Sequence, residues 1–509
     1  MNTNWQIKPG DKFGRPKRIK VRPLRRVLRT PHLFSIAYGN VGSSIYYALG
    51  LVALAAGGAT PVALGLAGII FVFTALSYAE GTAMFPESGG SASFARHGFN
   101  NFMGFMAGWS LMFGYIVTIA ISSFAIPSYL GLFWPPLKLS PFIMTACAMA
   151  IVIFLAIINV IGVKESSVLN ISLTVLDLAT QLVLIVAAMI FFLNPQLILE
   201  RITNYWPQPR DFFYGIAIAA IAFTGIETIS QMAEETKKPE VRAPKALMWI
   251  IVVVLVMFAG ISFSAFTTMS PTELAHEWAT DPIAGIAHKI SAGIVPAEIA
   301  SRLFQAQEQQ IVFAWFISIF QAFLPVLVAI LAATILLVAT NAGLLGISRL
   351  AFSLSRFNLI PAFIGKVHPR LKTPYIAIIA FSVLAVLLQF PGFFVPEMYS
   401  NLGGLYAFGS MLSFAIAHAS ILSLRIKMPA AERPFKLGLN LKIKGYELPW
   451  TSILGLIGTA IIWLIVIIMQ PYSRWVGFAW IAIGAVLYCY THRQAKGEVT
   501  ETGNEATAA

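Results

Sequence analysis

Charge is scarce in this sequence. Asp, Glu, Lys and Arg make up 11% of 509 residues, while hydrophobic residues make up 58%; ordinary soluble proteins carry about 25% charged residues. That balance excludes a soluble fold with one anchor and predicts an all-α polytopic membrane protein. Cysteine is nearly absent. The two present, Cys147 and Cys489, both lie in apolar segments, so no disulfide framework or metal cluster follows. The seven histidines show no zinc spacing, and there is no Gly-x-x-x-x-Gly-Lys-Ser/Thr loop for ATP. The chain is therefore expected to be no enzyme and to need no cofactor. No short apolar stretch with a cleavage site follows the N-terminal charges, so no signal peptide is expected. The net charge of +13 is assigned to loops that fix orientation and touch anionic lipid, not to nucleic acid.

What the chain has instead is apolar length. Twelve segments approach the roughly 20 residues a spanning helix needs. Their limits are 33–56, 62–85, 102–132, 141–161, 170–193, 211–233, 246–268, 311–340, 374–390, 398–424, 451–470 and 475–491. Residues 1–30 form a basic arm facing anionic lipid. A ten-helix core is expected over 31–424, in halves of about 31–193 and 211–424. A loop at 425–450, two peripheral helices at 451–491 and a disordered tail at 492–509 follow. Residues 271–308 are read as a loop with short helices. Twelve crossings put both termini on one side, and that side holds 29 of the 35 Lys and Arg residues. It is therefore expected to be cytoplasmic, in a cell membrane.

Two segments are poor helix interiors. The first contains Tyr38-Gly39-Asn40-Val41-Gly42-Ser43-Ser44-Ile45, with two glycines, an Asn and paired serines. In hydrocarbon, a broken helix survives where it lines a cavity or meets a ligand. The stretch is expected to be a discontinuous helix whose second half begins near Ser43 and offers free N–H groups to an anion. The alternative is a straight helix with small residues for close packing. The sixth segment carries Phe223-Thr224-Gly225-Ile226-Glu227 at mid-depth. Two interruptions five helices apart predict an inverted repeat of five plus five helices with a site between the halves.

The residues also resemble a known family. Gly42-Ser43-Ser44-Ile45-Tyr46 is similar to the break in helix one of the amino acid–polyamine–organocation permeases. Phe85-Pro86-Glu87-Ser88-Gly89-Gly90 resembles their loop between helices two and three. Phe223 to Glu227, followed by Ala233-Glu234-Glu235-Thr236-Lys237-Lys238-Pro239, resembles their helix-six signature. Ser348-Arg349, His368-Pro369-Arg370-Leu371-Lys372-Thr373-Pro374 and Arg433-Pro434-Phe435-Lys436 resemble later motifs, in order, so the resemblance covers nearly the whole chain. It implies a LeuT-type fold with two peripheral helices and an alternating-access carrier of amino acids or related amines. Proton coupling, by symport or exchange, is the implied mode, with sodium coupling or a polyamine or small-cation cargo as the alternative. It implies a substrate carboxylate at Gly42, Ser43, Ser44 and Ile45. The amine would meet Tyr38, Gly39, Asn40, Phe223, Thr224 and Gly225, with Phe223 and Ile226 closing over the side chain.

Two departures stand out. Ser44 replaces a usual Gly, which narrows the approach to the helix-one backbone. Asp177 stands in helix five where many relatives carry Lys. An acid at membrane depth is costly and usually functional. Asp177 is therefore a candidate to cycle a proton, bind sodium or hold a cation, with Ala339 and Thr340 of helix eight as partners and Glu227 as a second acid. Beyond a possible sodium site at Asp177 and Thr340, no metal site is expected. Glu80, Glu234 and Glu235 are expected as structural or gate contacts, and Trp109, Tyr115 and Phe323 as candidate cavity aromatics. A passive channel would need a carbonyl filter or an acidic ring, and neither is evident. A sensor would need more than the short basic arm.

Overall fold

The computed structural model describes residues 26–162, 167–293, 307–395, 397–443 and 445–507; for 167–169, 307–308 and 494–507 it gives the backbone alone. Most of the expected basic arm lies outside the described residues. Among those described, eleven stretches are long and apolar enough to cross a membrane. The first, Thr30–Met84, is divided by a turn at Gly57–Ala59, where Gly57 has φ +51°, so twelve crossings result.

Span one has two halves, Thr30–Val41 and Ile45–Ala56; spans two to five are Thr60–Met84, Asn101–Leu130, Pro141–Ile161 and Ser167–Phe192. Span six runs Pro209–Ala219 and resumes at Glu227–Gln231. Spans seven to ten are Pro239–Thr268, Gln307–Arg356, Tyr375–Gln389 and Met398–Lys427, and the last two are Trp450–Met469 and Pro471–Thr507. Proline opens many of them because its missing N–H falls where a helix has no acceptor for it. Asn100 and Ser140 cap spans three and four, and Asn194 the short helix Pro195–Asn204, each by accepting a backbone N–H.

Two features differ from expectation. Span eight extends to Arg356, well past 340, because its final turns carry cations that pair outside the apolar zone. The tail expected to be disordered instead continues the last helix to Thr507. An existing helix adds a hydrogen bond for each further residue fixed, and here it continues through the poor helix formers Gly497, Val499, Thr500, Thr502 and Gly503.

The first half of span one lies against spans seven, five and eight, while the first half of span six lies against the second half of span one and spans two and eleven. Spans three and eight pack on each other, as do two and seven. Span three is buried along its apolar length, whereas spans four, eleven and twelve turn most of their surface outward. Trp109 of span three and Trp480 of span twelve stack at 4.3 Å, each indole donating to the other's carbonyl. Trp109 is thereby a packing residue, and Phe323 is 56% exposed on the outer face.

The face bearing most of the basic residues is closed by polar contacts. Glu80, at the end of span two, accepts two bonds from Arg425 at 2.7 and 2.6 Å and one from the Leu437 N–H at 2.9 Å. Arg433 Nε lies 3.4 Å from the same carboxylate. A short hairpin, Asn440–Ile443 with Tyr446–Pro449, follows.

Between spans two and three, Glu87 accepts from Arg96 at 2.6 Å and Ser93 at 2.9 Å, with His97 at 3.4 Å. Burial alone would raise its pKa; the His97 hydrogen bond and the Arg96 charge outweigh that and hold it well below the usual carboxylate range. The sign follows. A depressed folded value gives stability that is full above the unfolded pKa and is lost as pH falls through the folded one. Glu87→Gln is expected to unfold at a lower temperature than wild type at neutral pH, with the gap closing on acidification; a pH-independent gap would remove the ionised pair as the cause.

Candidate substrate and cation site

The interruption in span one is slight. Gly42–Ser44 is a 3-10 turn whose residues keep right-handed helical angles, and the Gly42 N–H donates to the Tyr38 carbonyl. Of the four N–H groups expected to be free at Gly42, Ser43, Ser44 and Ile45, that of Gly42 is therefore engaged within the helix. The reason lies in the serines. The Asn40 carbonyl accepts from the Ser43 hydroxyl at 2.9 Å and the Ser44 hydroxyl at 3.3 Å. A carbonyl satisfied in this way lets the chain tighten without unwinding. Ser44 also shares a 2.8 Å bond with Tyr47. Gly42 is required by Tyr38: a Cβ there would meet the Tyr38 ring at 2.4 Å. Gly39 faces Val338 of span eight.

Span six breaks outright. Ala220–Phe223 is 3-10, Thr224 is extended, and Gly225 takes φ +111° before helix resumes at Glu227. Thr224 donates through its hydroxyl to Ile221 at 2.8 Å, and Glu227 accepts the Gly225 N–H at 2.9 Å. Glu227 thus caps its own break. The two interruptions touch: a Cβ on Gly225 would lie 2.9 Å from Asn40 Cγ and 3.0 Å from the Val41 nitrogen. The Asn40 amide donates to Thr228 at 3.0 Å. Gly225→Ala combines a disallowed φ with this collision. It is expected to cost about 1–3 kcal/mol, measured as a lowered unfolding temperature in detergent, with transport lost beyond what the lower stability explains.

Around the contact lies a polar interior. Ile45 and Ile226 are buried, and Phe223 turns toward spans two and seven, 5.2 Å from Phe71 and 5.3 Å from Phe258. Asn40 Oδ1 and the Gln231 side-chain amide are buried without hydrogen-bond partners among the described residues, and the Tyr115, Tyr406 and Tyr78 hydroxyls are buried nearby. Tyr115 lies beside Thr228, and Tyr406 beside Tyr47 and Thr224.

Asp177 sits on span five, 1% exposed, facing span one. Tyr46 donates to one oxygen at 2.6 Å; Tyr38 at 3.1 Å and Gln181 at 2.8 Å donate to the other. Gln181 also donates to Tyr38 at 3.2 Å. All three donors are neutral, and among the described residues no cation pairs with Asp177. The expected helix-eight partners do not join it. Ala339 and Thr340 are buried, but the Thr340 hydroxyl donates back to Leu336 at 2.8 Å. Glu227 is engaged with Gly225 instead. Sequence reading missed Tyr46 and Gln181, although Gln181 falls one helical turn after Asp177 and so shares its face.

Ion pairs flank the site on each side. On the basic face, Glu234 pairs with Arg356 at 2.7 Å and Glu235 with Arg349 at 2.7 Å, both from span eight rather than from Lys237 or Lys238. Backbone bonds join Val27 and Leu28 to Glu235, and Lys237 to Leu28. On the opposite face, Lys138 pairs with Asp281 at 2.9 Å under the Trp278 ring. Burial raises the Asp281 carboxyl, and Lys138 offsets part of that.

Twelve crossings, two touching interruptions and a buried acid that no described cation pairs define a polytopic helical membrane transporter. The profile of the amino acid permease family matches residues 28–489, and the chain belongs to that family. It is 26% identical to the branched-chain amino acid permease BcaP of Bacillus subtilis (strain 168), over 93% of this chain and 95% of that one. It is 23% identical to the methylthioribose transporter of the same organism, over 92% and 94%. It is 24% identical to the mitochondrial cationic amino acid transporter 3 of Arabidopsis thaliana, over 82% and 65%. These relatives are permeases and transporters, not enzymes.

Proposed function

We propose that this chain is a secondary carrier of amino acids or related amines that works by alternating access and is coupled to protons. The observation that carries the coupling is Asp177, a buried carboxylate held by two phenols and an amide with no cation beside it among the described residues. Both of its protonation states have partners: ionised, it accepts all three bonds; protonated, it can donate to a phenol oxygen. The substrate would lie between the interruptions of spans one and six. Tyr38, Gly39, Asn40, Gly42, Ser43, Ser44 and Ile45 would contribute from one side, and Phe223, Thr224, Gly225 and Ile226 from the other. The named cargoes of the relatives include branched-chain and cationic amino acids and a methylthio sugar, so amino acids and amines both belong in the first screen. The basic face is taken as cytoplasmic, in a cell membrane, on its excess of Lys and Arg.

The test is uptake by the purified chain in liposomes, with proton and sodium gradients imposed separately. A saturable uptake of one amino acid or amine that follows the proton gradient is the expected result. Uptake that follows sodium alone would reassign Asp177 to a sodium site, and flux that does not saturate would overturn the carrier reading.

A further inference from the structure

A groove of about 430 Å³ runs between the first half of span one and span seven. This falls within the range of small-molecule sites, about 300–1,000 Å³. Thr30, Pro31 and Phe34 form one wall; Lys245, Trp249 and Val253 form the other. The second wall is a single stripe, because residues four apart on a helix share a face. Trp249 is 55% exposed on the outer surface. The groove is apolar along its length and basic at one end, where spans one and seven begin. That end carries Arg26, Arg29, Lys237, Lys238, Arg242 and Lys245. Among the described residues no ion pair is formed by any of the six. Arg242 Nη1 is buried without a hydrogen-bond partner. Glu240 is the one acid in the same turn of span seven, and it does not pair with them.

We infer that this groove binds one anionic phospholipid, its phosphate held by Lys245 and Arg242 and an acyl chain lying over Phe34, Trp249 and Val253. The charge pattern selects this occupant. A neutral lipid would leave the cationic end unmatched, and the chain's own first 25 residues are themselves strongly basic, so that segment is repelled. Basic clusters at a membrane face attract anionic headgroups, and Trp favours the headgroup level. The groove also borders the interior site. Phe34 stacks on Tyr38 at 5.9 Å, and Tyr38 donates to Asp177. A lipid against Phe34 would therefore bear on the position of the first half of span one. That consequence for transport rests on the carrier reading; the binding itself does not.

The test is retention of lipid by the purified full-length chain, read by native mass spectrometry. Phosphatidylglycerol and phosphatidylcholine with identical acyl chains are offered in competition, with soluble glycerol phosphate in a separate arm. Wild type is expected to retain phosphatidylglycerol preferentially, and Lys245→Gln to lose about 5-fold of that preference. Lys245→Arg should restore it, and Trp249→Ala should weaken retention of both lipids. Equal retention of the two lipids by wild type would overturn the inference. A preference unchanged in both Lys245→Gln and Arg242→Gln would overturn it too, because the anionic lipid would then sit elsewhere. Glycerol phosphate displacing phosphatidylglycerol as well as the lipid itself would do the same, because the site would then be one for a soluble anion.

Discussion

Asp177→Asn is expected to lower gradient-driven uptake by about 5- to 150-fold, the range of a 1–3 kcal/mol coupling free energy, while exchange of substrate across the membrane without a gradient persists. The asparagine side chain keeps the shape of the carboxyl; its one oxygen can still accept from Tyr46, which now donates at 2.6 Å, while its amide takes the side that faces Tyr38 and Gln181. It cannot take up or release a proton. A variant that folds, binds and exchanges but does not concentrate substrate isolates the coupling step. Uptake driven normally by the proton gradient in Asp177→Asn would make Asp177 a packing residue and send the search for the coupling group to Glu227 and Glu80.

Glu80→Ala is expected to cost about 3–5 kcal/mol, because it leaves the Arg425 guanidinium buried without its counter-charge. Glu80 and Arg425 are 1% and 3% exposed at the side chain and share two bonds of 2.6–2.7 Å. The carboxylate also accepts the Leu437 N–H. It thereby ties span two, span ten and the segment leading to the hairpin at one point. Glu80→Gln, which keeps an acceptor for Leu437, should lose less. Thermal unfolding in detergent measures both. An alanine variant as stable as wild type would mean that water reaches Arg425 and that the junction is not sealed.

The architecture was legible in the sequence because it depends on pattern. Apolar length located all twelve spans, and the spacing of Gly42 and Gly225 put two interruptions five helices apart. The site was legible only in part. Gly225 broke its helix as expected, because glycine alone reaches φ +111°. Gly42 only tightened its helix into a 3-10 turn, because its neighbours Ser43 and Ser44 carry hydroxyls that quiet the Asn40 carbonyl, and hydroxyl direction is a three-dimensional fact. Asp177 stood out as an acid in an apolar run, but its partners came from span one and its own next turn rather than from Thr340. Pairings such as Glu234 with Arg356 join residues 122 positions apart, and nothing local distinguishes those partners from the nearer Lys237 and Lys238.

The strap formed by Val27, Leu28, Glu235 and Lys237 has a mechanical meaning. It fastens the entry to span one onto the exit from span six by three backbone bonds. Glu234 and Glu235, in that same exit, are clamped to span eight by Arg356 and Arg349. The start of span one and the end of span six are thereby joined as one lever. On the carrier reading, opening on the basic face would part that lever from span eight by breaking the Glu234–Arg356 and Glu235–Arg349 pairs, which act as two catches on one door.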